Sequence, residues 1–189
     1  MLNNLLYGKD SYRDTIANIE QSLEEPRMVI KIFTEQSRGT SSTTFSIACH
    51  NKSIKLEPAD FTLLLWFAKL AKEEKGGQSP KFFSEQYDGF LELCRLITKD
   101  KDKVSKIEDT INRLALKGKP MSAYLSPKIT TIRDALTEEI GPAAEHYIIH
   151  NLGKHKAALY GLRLKPEQIE IIAPKEILEF SIEQEPQSL

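Results

Sequence analysis

The chain of 189 residues predicts an α+β fold laid out as a winged helix-turn-helix, on three observations. A helix with Ser126 as N-cap and Pro127 at its first position closes at Gly141-Pro142. An apolar hairpin with a cationic turn follows, from His146 to Leu164. Ahead of both stand short strand-like runs and a helix that is apolar on nearly every side. The expected organisation is an N-terminal helical segment (1–26), a winged-helix domain with an antiparallel strand pair and additional helices (27–172), and an acidic C-terminal tail (173–189).

The elements follow in order. Ser11 to Asp14 resembles a capping box, and Tyr12, Ile16, Ile19 and Leu23 recur at helical spacing until Pro26. Met28 to Phe33, Phe45 to Cys49 and Ile54 to Leu56 are β-branched or period-two runs, with the Ser, Thr and Gly-rich stretch Ser37 to Thr44 read as a turn. Pro58 opens a helix whose apolar residues, Phe61 to Leu70 with Trp66 among them, predict burial all round; Gly76-Gly77 is the expected stop. Helical stripes continue from Pro80 to Ile97 and from Val104 to Leu114, the latter closed by Lys117-Gly118-Lys119-Pro120. Thr98 to Lys103 between them reads as a solvated connection. Ile129, Ile132, Leu136 and Ile140 share one face of the next helix, and Gly141 is its expected left-handed cap. His146 to His150 and Ala157 to Leu164 are the hairpin arms, joined by the turn Asn151 to Lys154, and Ile169 to Ile172 adds an edge strand. In the tail, Leu178, Phe180 and Ile182 are expected to dock while Ser181 to Leu189 frays.

Composition narrows the function classes. Hydrophobic residues make up 40% and charged residues 28%, as in ordinary globular proteins rather than disordered ones. The longest apolar run, Phe61 to Leu70, is too short and too polar to span a bilayer. Met1 to Asp10 has neither the charged nor the apolar region of a secretory signal. Cys49 and Cys94 sit in apolar runs without metal-ligand spacing, which predicts buried thiols and a cytoplasmic location. Net charge is −1 but unevenly distributed: residues 111–165 hold nine basic side chains against four acidic, and residues 166–189 hold one against six.

The order of β-ribbon, the Leu56-Glu57-Pro58-Ala59-Asp60-Phe61 helix start, further helices, capped helix and terminal hairpin resembles the OmpR/PhoB-type winged-helix output domain. Four pieces are more closely similar to the C-terminal region of the CRISPR-associated ring nuclease family: Ser11-Tyr12 with Ile19 to Leu23; Ile54 to Phe67 with Ala68-Lys69; Ile129 to Gly141; and Tyr147-Ile148-Ile149, Gly153-Lys154 and Tyr160 to Pro166 with Ile169. Together they span most of residues 11–172. Members of that family carry an N-terminal CRISPR-associated Rossmann fold (CARF) domain that binds and cleaves cyclic oligoadenylate. That half precedes the matched region, and ten residues precede Ser11. Ring-nuclease activity is therefore not carried over. The resemblance implies a link to type III CRISPR antiviral defence and to cyclic oligoadenylate signalling, with a winged-helix accessory role.

The candidate site is a nucleic-acid surface. Between His146 and Lys165 there are four Lys or Arg residues, three histidines and no carboxylate, a composition suited to phosphate. Lys154, His155, Lys156, Arg163 and Lys165 are the expected backbone contacts, with Lys128 and Thr131 facing a DNA or RNA duplex; Arg113, Lys117 and Lys119 extend the patch. Asp134 and Glu138 on the same helix oppose phosphate, so sequence-specific groove reading is not expected. Tyr147 and Tyr160 read as packing residues ahead of base-stacking platforms. His146, His150 and His155 lack the further ligands that a zinc site needs. Asp100 and Asp102 read as a solvated loop ahead of a magnesium site, and the glycines fit no phosphate-cradling fingerprint. No metal, cofactor or catalytic residue is assigned, and the chain is read as non-enzymatic. The alternative is a protein interaction or dimerisation module, as a homodimer or with a CRISPR effector protein such as a cyclic-oligoadenylate sensor or ring nuclease domain; the apolar Trp66 helix and the amphipathic tail motivate it.

Overall fold

A computed structural model describes residues 25–37, 40–153 and 158–182. The expected helix at Ser11 to Leu23 lies outside the described residues. Four strands form one sheet in the order β3-β2-β1-β6. β1 (Met28–Ser37) and β2 (Thr40–Cys49) are antiparallel, from Met28↔Cys49 to Ser37↔Thr40. The ladder thus enters the stretch expected to be a turn, because its Ser and Thr residues suit a pleated strand. His50 and Asn51, with φ of 50° and 59°, form the two-residue link to β3 (Lys52–Ile54); positive φ at both positions matches the twist of a tight hairpin. β6 (Ile169–Ile172) is the expected edge strand and runs parallel to β1. Period two sorts the faces: Met28, Ile30, Ile32, Ile47, Cys49, Ile54 and Ile169 are buried, whereas Phe33 is 49% exposed.

The buried side of the sheet and the helices share one core. α1 (Pro58–Lys72) is buried at every residue from Asp60 to Leu70. It ends earlier than Gly76-Gly77: Glu74 takes φ +55°, with Glu74 N–H donating to Ala71 O (3.1 Å) and Lys75 N–H to Leu70 O (2.9 Å). These bonds make a Schellman cap with a non-glycine at its left-handed position. The single helix expected from Pro80 to Ile97 is two, α2 (Pro80–Glu85) and α3 (Tyr87–Ile97), broken at Gln86. α4 (Lys101–Leu116) starts inside the expected connection, because the Asp100 carboxylate accepts from the amides of Asp102 (3.1 Å) and Lys103 (3.2 Å).

α5 (Ser122–Ile140) corrects the capping expectation at Ser126-Pro127: the helix begins a turn earlier and carries Pro127 inside it. Tyr124 and Leu125 are buried in that additional turn, and their burial offsets the backbone bond that proline removes. Gly141 has positive φ (58°) but ψ of −139°, and a 3-10 turn over Gly141–His146 follows. The hairpin is correspondingly shorter than expected: β4 is His150–Asn151 and β5 is Tyr160–Gly161. The amides of Tyr147 and Ile148 both donate to Ala144 O, at 2.8 and 3.1 Å, so neither is available to a ladder.

At the C-terminus, α6 (Lys175–Leu178) packs on α3. Ile177 and Ile182 enter the common core while Leu178 stays exposed. The docking residues are therefore Ile177, Phe180 and Ile182, and the expected fraying at Ser181-Ile182 does not occur; residues 183–189 lie outside the described residues. Among the described residues, no helix is long and apolar enough to cross a membrane.

Candidate nucleic-acid interface

The base of the hairpin is built by close backbone approach. Tyr160 pairs with Asn151 on one side and with Gln78 on the other, through Gln78 N–H to Tyr160 O (2.7 Å) and Tyr160 N–H to Gln78 O (2.8 Å). Gln78 follows α1, so a minimal three-stranded ribbon links the segment after α1 to the hairpin after α5. Glycine eases this approach: a Cβ on Gly161 would stand 2.9 Å from Leu152 Cδ1 and displace that side chain, and one on Gly77 would stand 3.2 Å from Leu159 Cβ. The Asn151 carboxamide oxygen accepts from the amides of Gly153 (3.0 Å) and Leu159 (3.1 Å), closing the neck of the loop. Tyr160 OH lies 3.5 Å from Ser126 Oγ, which ties the ribbon to α5.

The expected contact residues divide into three groups. Arg163 and Lys165 are exposed just after β5. Lys154, His155 and Lys156 lie outside the described residues. Lys128 and Thr131 are turned to intramolecular partners. Lys128 Nζ stands 2.9 Å from Asp60 Oδ1, the ammonium 31% exposed and the carboxylate 4%. The angle lies outside hydrogen-bonding geometry, so the contact is chiefly coulombic. A buried carboxylate at the start of α1 needs such a counter-charge. Thr130 and Thr131 donate their hydroxyls to the carbonyls of Ser126 (3.0 Å) and Pro127 (3.1 Å) one turn back.

Glu145, one residue outside the acid-free window, is the residue that sequence reading passed over. The 3-10 turn carries it back so that its Oε1 lies 3.6 Å from Arg163 Nη1 and 3.7 Å from His150 Nδ1. His150 is buried and donates from Nε2 to Glu145 O at 2.9 Å, whereas His146 is exposed in the 3-10 turn. The signal for Glu145 was Gly141-Pro142, which breaks the chain direction just before it. Tyr147 is buried, with its hydroxyl accepting from Arg27 N–H at 3.2 Å.

Further cations gather at a cleft of about 480 Å³ between α3 and α4, lined by Arg95, Lys99 and Lys101 together with Glu108, which is 3.9 Å from Arg95. Among the described residues no three His, Cys, Asp or Glu side chains converge as metal ligands. Both thiols are buried, and burial pushes each up to about 12, which makes them poor nucleophiles. Compared with family models, with curated proteins and with solved structures, the chain finds no match in any of the three.

Proposed function

We propose that this protein is a non-enzymatic winged-helix module that engages the nucleic-acid backbone through a basic wing, in the type III CRISPR setting that its sequence resemblance implies. One observation carries the reading: Tyr160 is paired on both sides, by Asn151 and by Gln78. A ribbon that follows α5 in chain order, as a wing follows a recognition helix, supports this reading. The residues between its strands include Lys154, His155 and Lys156, and Arg163 and Lys165 are exposed beside it.

The internal commitments of Lys128, Thr130 and Thr131, and the exposed Asp134 and Glu138, favour phosphate contact over base reading. Binding is accordingly expected to be weak, indifferent to sequence and salt-dependent. Fluorescence anisotropy with labelled duplex DNA and RNA over a salt series tests this. Lys154→Glu with Lys156→Glu is expected to weaken binding of every sequence alike and to lower the salt slope by about 2. Salt-insensitive binding, or unchanged binding by the double variant, would refute the reading.

The alternative of an interaction module keeps one support. The apolar α1 that first motivated it is covered within the chain, but Phe33 and Ile172 remain exposed on the outer side of adjacent strands.

A further inference from the structure

The C-terminal segment is held to the body by lysine ammonium groups on its backbone carbonyls. Its hydrogen-bonded amides, those of Ile177, Leu178 and Glu179, bond within the segment, to Pro174 O and Lys175 O. Its carbonyls are gripped instead by lysines of α1 and its cap. Lys69 Nζ donates to Ile177 O (3.2 Å) and Leu178 O (3.0 Å), and Lys75 Nζ donates to Ile182 O (2.5 Å). Lys72 Nζ does the same one step earlier, at Ile169 O (2.8 Å).

The side chains fill a groove between α1 and α3. Ile177 and Ile182 are buried, and the Phe180 ring centre is 6.3 Å from that of Trp66. The Phe180 ring edge and the Trp66 ring both pack over Gly89, where a Cβ would stand 3.7 Å from Phe180 Cζ and 3.8 Å from Trp66 Cη2, so a side chain longer than a methyl group would enter the seat.

A helix of four residues has no stability of its own, so the segment behaves as a peptide bound in a groove by apolar anchors at i, i+3 and i+5 and by ammonium groups on backbone carbonyls. Ala173 and the extended Pro174 (φ −53°, ψ 151°) form a short joint between it and β6. We propose that residues 173–182 are an exchangeable strap, and that the groove of Trp66 and Gly89 seats the same strap from a second copy of this chain. A second copy is the occupant indicated because its strap carries the three anchors and the carbonyl spacing that this groove already holds. The attached strap competes at an effective concentration of about a millimolar, so native copies exchange only near that concentration.

Complementation of two full-length variants removes that competition. Gly89→Leu fills the groove and leaves the strap intact, whereas Phe180→Ser with Ile182→Ser weakens the strap and leaves the groove open. Light scattering is expected to give one-chain masses for each variant alone and a two-chain mass for their mixture, well below a millimolar. A mixture of folded variants that stays at the one-chain mass would overturn the proposal. So would a two-chain mass for the Gly89→Leu variant alone, since that places the contact elsewhere. Hydrogen exchange on the native chain gives an independent readout if a variant fails to fold. The amides of Ile177 to Glu179 are expected to exchange through an opening that leaves α1 protected; exchange of both only together would overturn the strap.

Discussion

Two sets of cations with the same formal charge behave differently in this molecule. Lys69, Lys72 and Lys75, at the end of α1, reach inward and donate to carbonyls of the C-terminal region; Lys69 is only 4% exposed. Arg163 and Lys165, beside the hairpin, are exposed, and the only anion near Arg163 among the described residues is Glu145 at 3.6 Å. The first set is structural, and the second faces solvent. A count of basic residues treats them alike, whereas burial and acceptor geometry separate them.

The largest expected effect tests the buried region by pH. Cys49 and Cys94 have thiols pushed from 9.0 up to about 12 by burial, and burial raises the Tyr124 phenol as well. A raised folded-state pKa gives stability that is complete below the unfolded pKa and is lost as pH climbs toward the folded one. Urea unfolding is therefore expected to show stability falling from about pH 9 upward, by at most about 4 kcal/mol per thiol. Lys69 opposes this in part, because burial lowers its pKa and its desolvation cost is relieved as it loses its proton. The variant Cys49→Ala with Cys94→Ala should flatten most of the slope.

The next effect compares the two sets of cations directly. Lys69→Ala leaves two carbonyls without their charged donor and should cost about 3 kcal/mol. Arg163→Ala should change stability by less than about 0.5 kcal/mol. Equal losses in thermal or urea unfolding would erase the distinction. The smallest effect concerns the proposed wing alone: Glu145→Gln removes the carboxylate beside Arg163 and, under the proposed function, should tighten nucleic-acid binding about twofold, within the range of an exposed ion pair. Weaker binding would mean that Glu145 orients Arg163 rather than competing for it.

Much of the fold was legible where the signal is local. Pro58 and the apolar run to Leu70 marked α1, the Gly118-Lys119-Pro120 stop ended α4, and alternation in Met28 to Phe33 marked a buried strand face. Misreadings arose where packing outweighed a local preference. Ser126-Pro127 looks like a helix start, but burial of Tyr124 and Leu125 extends α5 across it. Tyr147 to His150 looks like a strand, yet the amides of Tyr147 and Ile148 turn back to Ala144. In the candidate site, Arg163 and Lys165 could be read from composition. The pairing of Lys128 with Asp60, 68 positions apart in sequence, and the return of Glu145 to Arg163 could not.

The sequence by itself determined where the main helices and the β1 strand lie, which side of each is apolar, and that positive charge gathers in residues 111–165. These follow from the periodicity and chemistry of neighbouring residues. Only the tertiary structure decided which cations stay in water, that β6 joins β1 in parallel, and that Ile177, Phe180 and Ile182 close the core. Each of those outcomes depends on groups distant in sequence meeting at hydrogen-bonding or packing distance, where desolvation makes the choice of partner decisive.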